Sequence, residues 1–306
     1  MKIVFMGTPK FAVPALKALN QSEHEIVAVV TQPDKINARG KKVEPSAVKA
    51  AAEELSLPVL QYERVRDRAE ELKALSADVF VTAAYGQILS QEILDIPKYG
   101  VINIHASLLP KYRGSAPVVH AILAGEKELG VTVMRTALKV DSGDVMASKS
   151  ESFDTQTAGE CLERLAELGA EIIVPALDSI ERGTAEFTPQ NEAEASYQPM
   201  LKKEDGRLSF DKTAEQAVNF VRAMNPWPSA YFTSRFGRIK VMKAEAVDAS
   251  GEVGEVLFCD RKNGLVVACK DRAVRLSVIQ PEGSRVMNDA DFILSRKFDV
   301  GEKIDG

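Results

Sequence analysis

Short runs of Val, Ile, Ala and Phe recur through the first half of the chain, and stretches of helical periodicity lie between them. The apolar runs cover residues 2–6, 25–31, 79–84, 100–105 and 130–135. Helices are predicted over 46–55, 67–75 and 117–124, with an earlier one centred on Val13, Leu16 and Leu19. A strand that is apolar on both faces must be covered on both faces, and a parallel sheet between helices provides that cover. The first half is therefore expected to be a Rossmann-like α/β domain with a doubly wound, mostly parallel sheet. Ligands of such sheets bind outside the carboxyl ends of the strands, so the residues leaving each strand carry the argument.

The second half has a different rhythm. Thr157 and Glu160 have capping-box spacing and precede Leu162, Leu165, Leu168, Ile172 and Ile173 on a long helix, which Pro175 is expected to kink or split. Residues 184–205 are polar and lack a sustained period. These features predict a domain over 1–189, a linker over 190–205 and a second domain over 206–306. That last part opens with a helix at 213–224, stopped by Asn225-Pro226-Trp227-Pro228. Strand-like runs follow at 230–233, 239–246, 255–258, 264–268 and 273–280, and a last helix is expected near 289–294. The expectation is a small β-barrel of OB-like type.

With 45% hydrophobic and 27% charged residues, the chain has enough apolar sequence for a packed core. Its longest uncharged stretch is thirteen residues, 79–91, short of the roughly 20 a membrane-crossing helix needs. The first apolar run is too short for a secretory signal, and three scattered cysteines suit reduced thiols. A cytoplasmic protein without membrane association is expected. The net charge of −5 is uneven: residues 201–306 carry 18 Lys and Arg against 16 Asp and Glu, which leaves −7 for the first 200. Within that acidic part, 35–49 holds Lys35, Arg39, Lys41, Lys42 and Lys49 against Glu44. A basic loop of this kind is either solvated surface or a phosphate contact.

A dinucleotide site is excluded by the first turn, which reads Gly7-Thr8-Pro9-Lys10-Phe11-Ala12 and lacks the second and third glycines of Gly-x-Gly-x-x-Gly. No phosphate-binding Gly-x-x-x-x-Gly-Lys-Ser/Thr loop occurs. The chemistry-bearing segment is 101–114, Val-Ile-Asn-Ile-His-Ala-Ser-Leu-Leu-Pro-Lys-Tyr-Arg-Gly. Alternation along a strand puts Asn103 and His105 on one face and Ile102 and Ile104 on the other. An amide can hold a developing oxyanion, and an imidazole can move a proton near neutral pH. A lone histidine is ordinarily structural; the neighbouring Asn103 and the turn that follows set this one apart. Asp141-Ser142-Gly143-Asp144 reads as a turn that offers a carboxylate to the imidazole, from Asp141 or Asp144. His24 lies in a polar loop and His120 in an apolar helix, so both are expected to be structural or solvated.

The Asn-x-His pair, the Ser-Leu-Leu-Pro after it and the Asp-x-Gly-Asp turn together resemble the folate-dependent formyltransferases. Phe-Met-Gly-Thr-Pro at the start, Val-Thr-Gln-Pro-Asp at 30–34, Ala-Ala-Tyr-Gly-Gln-Ile-Leu at 83–89 and Met-Asn-Pro-Trp-Pro at 224–228 resemble the branch acting on methionyl-tRNA. The similarity spans essentially the whole chain, whereas the purine-pathway formyltransferase resembles only its first domain. The resemblance implies Asn103, His105 and Asp141 as catalytic residues, with Asp141 preferred over Asp144. It implies a folate pocket lined by Tyr85, Gly86, Gln87, Ile88 and Leu89 and by Ser107, Leu108, Leu109 and Pro110. It also implies 10-formyltetrahydrofolate as formyl donor, no metal, and initiator Met-tRNA as acceptor. Arg39, Lys41 and Lys42 would touch that RNA, as would the second domain, and a monomer is expected. The basic loop keeps the family's Arg-Gly-Lys-Lys core, while the Pro and Gly that precede it in the family are replaced. The competing reading is a related formyltransferase, or a formyl-folate hydrolase, with a small acceptor.

Overall fold

A computed structural model describes residues 1–36 and 43–304. Arg39, Lys41 and Lys42 lie outside the described residues. The chain divides into two compact units: residues 1–117, 128–152 and 162–198 in the first, and 118–127, 153–161 and 199–306 in the second.

In the first unit the apolar runs are strands: β1 (Lys2–Gly7), β2 (Glu25–Thr31), β3 (Val59–Gln61), β4 (Val79–Ala83), β5 (Val101–His105), β6 (Glu128–Arg135) and β7 (Val145–Ser152). They form one sheet in the order β7-β6-β5-β4-β1-β2-β3. The five strands from β5 to β3 run parallel, while β6 and β7 are antiparallel to their neighbours. Helices α1 (Val13–Asn20), α2 (Ala47–Glu54) and α3 (Ala69–Ala74) make the crossovers. Every residue of β4 is buried, as expected for a strand covered on both faces. α2 starts where it does because Ser46 caps it, its hydroxyl accepting from the Lys49 N–H at 3.0 Å. The chain leaves β1 to one side and returns as β4 on the other, which opens a crevice at the carboxyl ends of these two strands.

Two strands escape the sequence pattern. β3 has only three residues, and β7 (Val-Met-Ala-Ser-Lys-Ser-Glu-Ser) is an edge strand with little apolar signal. The long helix α4 (Ala158–Glu181) continues through Pro175, so the helix is not split there. Its apolar stripe, including Leu165, Leu168, Ile173, Leu177 and Ile180, is buried, and that burial offsets the missing N–H. A Cβ on Gly169 would meet the Ile104 side chain at 2.8 Å, so this glycine lets the helix lie close on β5.

The second unit holds strands β8 (Ala230–Ser234), β9 (Gly237–Val247), β10 (Val256–Asp260), β11 (Gly264–Ala268) and β12 (Ala273–Pro281). They form an antiparallel sheet in the order β8-β9-β12-β11-β10, with Met287–Asn288 added to β12. Among the described residues no pairing joins β8 to β10, so the expected barrel appears as an open sheet. Two register shifts between β9 and β12 bend the long strand. Helix α5 (Ala214–Ala223) begins with a capping box from Thr213 and Gln216, and α6 (Asp289–Ser295) comes last. Phe210, Phe232, Phe292 and Phe298 pack at the core of this unit, with edge-to-face, tilted and stacked ring contacts 5.8–6.5 Å apart among them.

Candidate active site

Asn103 and His105 stand at the carboxyl end of β5, as the alternation requires. Thr82, buried on the adjacent strand β4, donates its hydroxyl to Asn103 Oδ1 at 2.8 Å. In this arrangement the amide oxygen is turned to β4, and the Nδ2 donors have no partner among the described residues. His105 Nε2 lies 3.0 Å from the Tyr112 carbonyl. A carbonyl only accepts, so Nε2 carries the hydrogen and the neutral ring keeps its free lone pair on Nδ1. Nδ1 faces Asp141 Oδ2 at 3.6 Å, a separation for ionic attraction once the ring is protonated.

The Asp141 turn is tightly built. Asp141 adopts φ +49°, a left-handed conformation that Asp tolerates better than most residues. A Cβ on Gly143 would lie 1.8 Å from the Arg135 carbonyl, so only glycine lets this turn lie against the end of β6. Asp141 Oδ2 accepts the Gly114 N–H at 2.8 Å. Gly114 itself has φ +94°, and a Cβ there would meet the Gln198 carbonyl at 2.7 Å. Asp144 accepts the Arg135 N–H at 2.9 Å through its main-chain carbonyl. Of the two carboxylates the sequence offered, Asp141 is the one paired with His105.

The second group of site candidates divides. Thr132 fixes the 107–110 turn: its hydroxyl donates to the Ser107 carbonyl at 2.7 Å and accepts the Leu109 N–H at 3.2 Å. Ser107 Oγ donates to the Lys111 carbonyl at 2.8 Å, and a Cβ on Gly130 would collide with Leu108. At the β1/β4 crevice, Thr8 and Gln32 donate to the Tyr85 carbonyl and Gln32 also to that of Gly86. Gln87 accepts from the Val65 N–H and donates to the Tyr62 carbonyl, both at 2.8 Å. Tyr85 and Leu89 are buried, whereas Ile88 is 81% exposed. Burial raises the Tyr85 phenol above its ordinary range, and its hydroxyl has no hydrogen-bond partner among the described residues. Gly86, Gln87 and Ile88 line a cleft of about 570 Å³ with Gln32, Pro33, Asp34, Lys35, Glu63, Arg64 and Arg66. Tyr85, Leu89 and the 107–110 turn are not among its walls, nor are Asn103, His105 and Asp141.

Residues 1–177 match the Formyl transferase family and 200–297 match Formyl transferase, C-terminal domain. Methionyl-tRNA formyltransferase of Carboxydothermus hydrogenoformans is 43% identical over 305 residues, covering 99% of both chains. The chain belongs to the methionyl-tRNA formyltransferase family. The enzyme of the same name from Neisseria gonorrhoeae is 42% identical over 309 residues, covering 99% of this chain and all of its own. In this formyltransferase the fold is shared more widely. A sugar 3N-formyl transferase solved with dTDP and 5-N-formyl-THF superposes with a TM-score of 0.69 at 20% identity, covering 93% and 99% of the two chains. An N-formyltransferase from Helicobacter canadensis, complexed with folinic acid and dTDP-3-aminofucose, gives 0.68 at 20% identity over 90% and 98%.

Several groups that hold these candidate residues leave no mark in the sequence. Thr82 is hidden in a uniformly apolar strand, and Gly114 N acts through its backbone. Gln190 lies in the polar stretch that reads as a linker, where no local pattern marks it. The other histidines stand apart. His24 is buried beside Asp178 at 3.2 Å and Glu181 at 3.7 Å, and His120 meets the Pro199 carbonyl at 3.3 Å.

Proposed function

We propose that this chain transfers the formyl group of 10-formyltetrahydrofolate to the α-amino group of methionine on initiator tRNA. The observation that carries the reading is the meeting of Asn103, His105 and Asp141 at one strand end in a member of this family. The free amine attacks the formyl carbon and a tetrahedral oxyanion forms. Asn103 Nδ2, its amide held by Thr82, donates to that oxygen, and protonated His105 adds positive charge beside it. As the C–N10 bond breaks, N10 takes up a proton while the attacking nitrogen gives one up. His105 Nδ1, with Asp141 stabilising its charged form, relays these protons.

Tyr85, Gly86, Gln87, Ile88, Leu89, Ser107, Leu108, Leu109 and Pro110 are proposed to hold the folate. What supports this is the crevice at the strand ends, where Gly86, Gln87 and Ile88 line an open cleft. The reaction as written uses only these side chains, and no metal is proposed. Catalysis is assigned to 1–189 with the strap 190–198 that packs on it, the connection between domains to what remains of 190–205, and tRNA binding to 206–306 together with Arg39, Lys41 and Lys42. The protein is proposed to work as a cytoplasmic monomer; no described helix is long and apolar enough to cross a membrane. The test is formyl transfer to aminoacylated initiator tRNA, uncharged tRNA and a small amine, side by side. Formylation of the charged tRNA alone supports the reading, and preference for the small amine refutes it.

A further inference from the structure

Residues 188–198 form a strap on the first unit, and one side chain in it reaches the Asp141 turn. Thr188 exchanges both backbone hydrogen bonds with Val145, and Tyr197–Gln198 pairs in parallel with Arg113–Gly114. Between these anchors, Gln190 Oε1 accepts from Arg113 Nε at 3.0 Å and Nη2 at 2.8 Å. Gln190 Nε2 donates to the carbonyls of Asp141 at 2.9 Å and Gly143 at 2.6 Å. Arg113 can only donate and carbonyls only accept, so these partners fix the amide's orientation. Arg113 is 0% exposed, and two further donors go to the Tyr197 hydroxyl and to Glu192, both at 2.7 Å. A buried guanidinium with four of its five N–H donors engaged is a rigid base for the next link.

We infer that Gln190 is a positioning residue for formyl transfer, clamping the two carbonyls that flank Ser142 so that the Asp141 carboxylate is held at His105. The inference rests on the catalytic reading of His105 and Asp141 given above. Gly114 N–H anchors one carboxylate oxygen of Asp141, and Gln190 anchors its backbone. The two contacts come from opposite directions along the chain, 27 residues before and 49 residues after Asp141. A catalytic group moved by about 1 Å can cost on the order of 10²-fold, so a clamp of this kind acts on rate.

The full-length protein tests this with three substitutions. Gln190→Glu keeps an acceptor for Arg113, so the strap stays docked, but sets an oxygen against the two carbonyls. Gln190→Asn keeps both chemical functions on a shorter arm, and Gln190→Met removes them at nearly the same volume. Steady-state formylation of charged initiator tRNA should show kcat falling roughly tenfold to a hundredfold in Gln190→Glu and Gln190→Met. Gln190→Asn should lose less, and KM for the folate donor and for tRNA should stay within threefold in all three. Combined with Asp141→Asn, Gln190→Glu should subtract almost nothing further, because both act through one carboxylate. Unchanged kcat in the Gln190 variants, while Asp141→Asn alone is slow, overturns the inference and spares the catalytic reading. Multiplying losses in the double variant, or a rise in KM in place of the fall in kcat, also overturns it. Normal activity of Asp141→Asn overturns the catalytic reading itself. If Gln190→Glu unfolds, Gln190→Asn and its double variant with Asp141→Asn decide by the same comparison.

Discussion

Replacing Asp141 by Asn removes one charge from the site and little else. The amide oxygen still accepts the Gly114 N–H, and the carbonyl clamped by Gln190 is unchanged, so the turn should keep its place. What is lost is the attraction between the carboxylate and an imidazolium 3.6 Å away. At an effective dielectric of about 20, two unit charges at that separation attract by about 4.6 kcal/mol. The His105 and Asp141 side chains are 8% and 15% exposed, so screening by salt is small. If half a unit of charge develops on the ring in the transition state, about 2.3 kcal/mol is forfeited, or roughly 50-fold in rate. A full charge gives roughly 2,000-fold by the same conversion. Asp141→Asn should therefore lower kcat by a factor between about 50 and 2,000, with KM for both substrates close to wild type. The assay is single-turnover formylation of charged initiator tRNA, with a melting curve to confirm the fold. A loss smaller than about fivefold, or a larger loss in Asp144→Asn, refutes the charge-partner argument.

His105→Ala should cost about 10²–10⁴ in kcat/KM, the scale of a lost general acid-base, without lowering the melting temperature; near-normal turnover would show that the ring moves no proton. Thr82→Val removes the donor that orients the Asn103 amide while keeping the shape of the side chain. One neutral hydrogen bond is worth about 1 kcal/mol, so kcat should fall roughly fivefold, and no change would mean the amide is held by something else. Hydrogen bonds from Arg113 and then Lys139 hold the Glu192 carboxyl at about 2, below its ordinary 4.5. A depressed carboxylate stabilises the fold above its unfolded value, and that contribution fades as pH falls from about 4.5 towards 2. The urea midpoints of wild type and Glu192→Gln should thus converge from pH 6 to pH 3; a gap that stays constant contradicts this. Arg39→Ala should lower kcat/KM for charged tRNA more than Lys41→Ala or Lys42→Ala, because a guanidinium makes bidentate and stacking contacts. A triple alanine variant with the wild-type salt slope and kcat/KM would assign that loop to plain surface.

The parallel sheet was legible because burial on both faces leaves a mark in composition: β1, β2, β4 and β5 are nearly continuous Val, Ile, Ala and Phe. Asn103 and His105 were legible for a related reason, since two polar groups two apart in such a strand stand out and share a face by the geometry of the pleat. In the second unit, strands β8 to β12 and helices α5 and α6 followed from apolar runs, turns and caps. The expected closure into a barrel is absent among the described residues, where the sheet stays open between β8 and β10; whether first and last strands pair leaves no local trace in a sequence. The choice of Asp141 over Asp144 was equally invisible to spacing, since a turn of four residues offers both carboxylates within reach. Tertiary packing made the choice: Gly143 lies against the Arg135 carbonyl, the Gly114 N–H takes one Asp141 oxygen, and Gln190 clamps the backbone from 49 residues away. The polar stretch 190–198, read as a linker, lies with the first unit and contributes that clamp. Periodicity reports which face of an element is buried, but the partner of a buried polar group is fixed only when distant segments are brought together, and here that decided which carboxylate meets the imidazole.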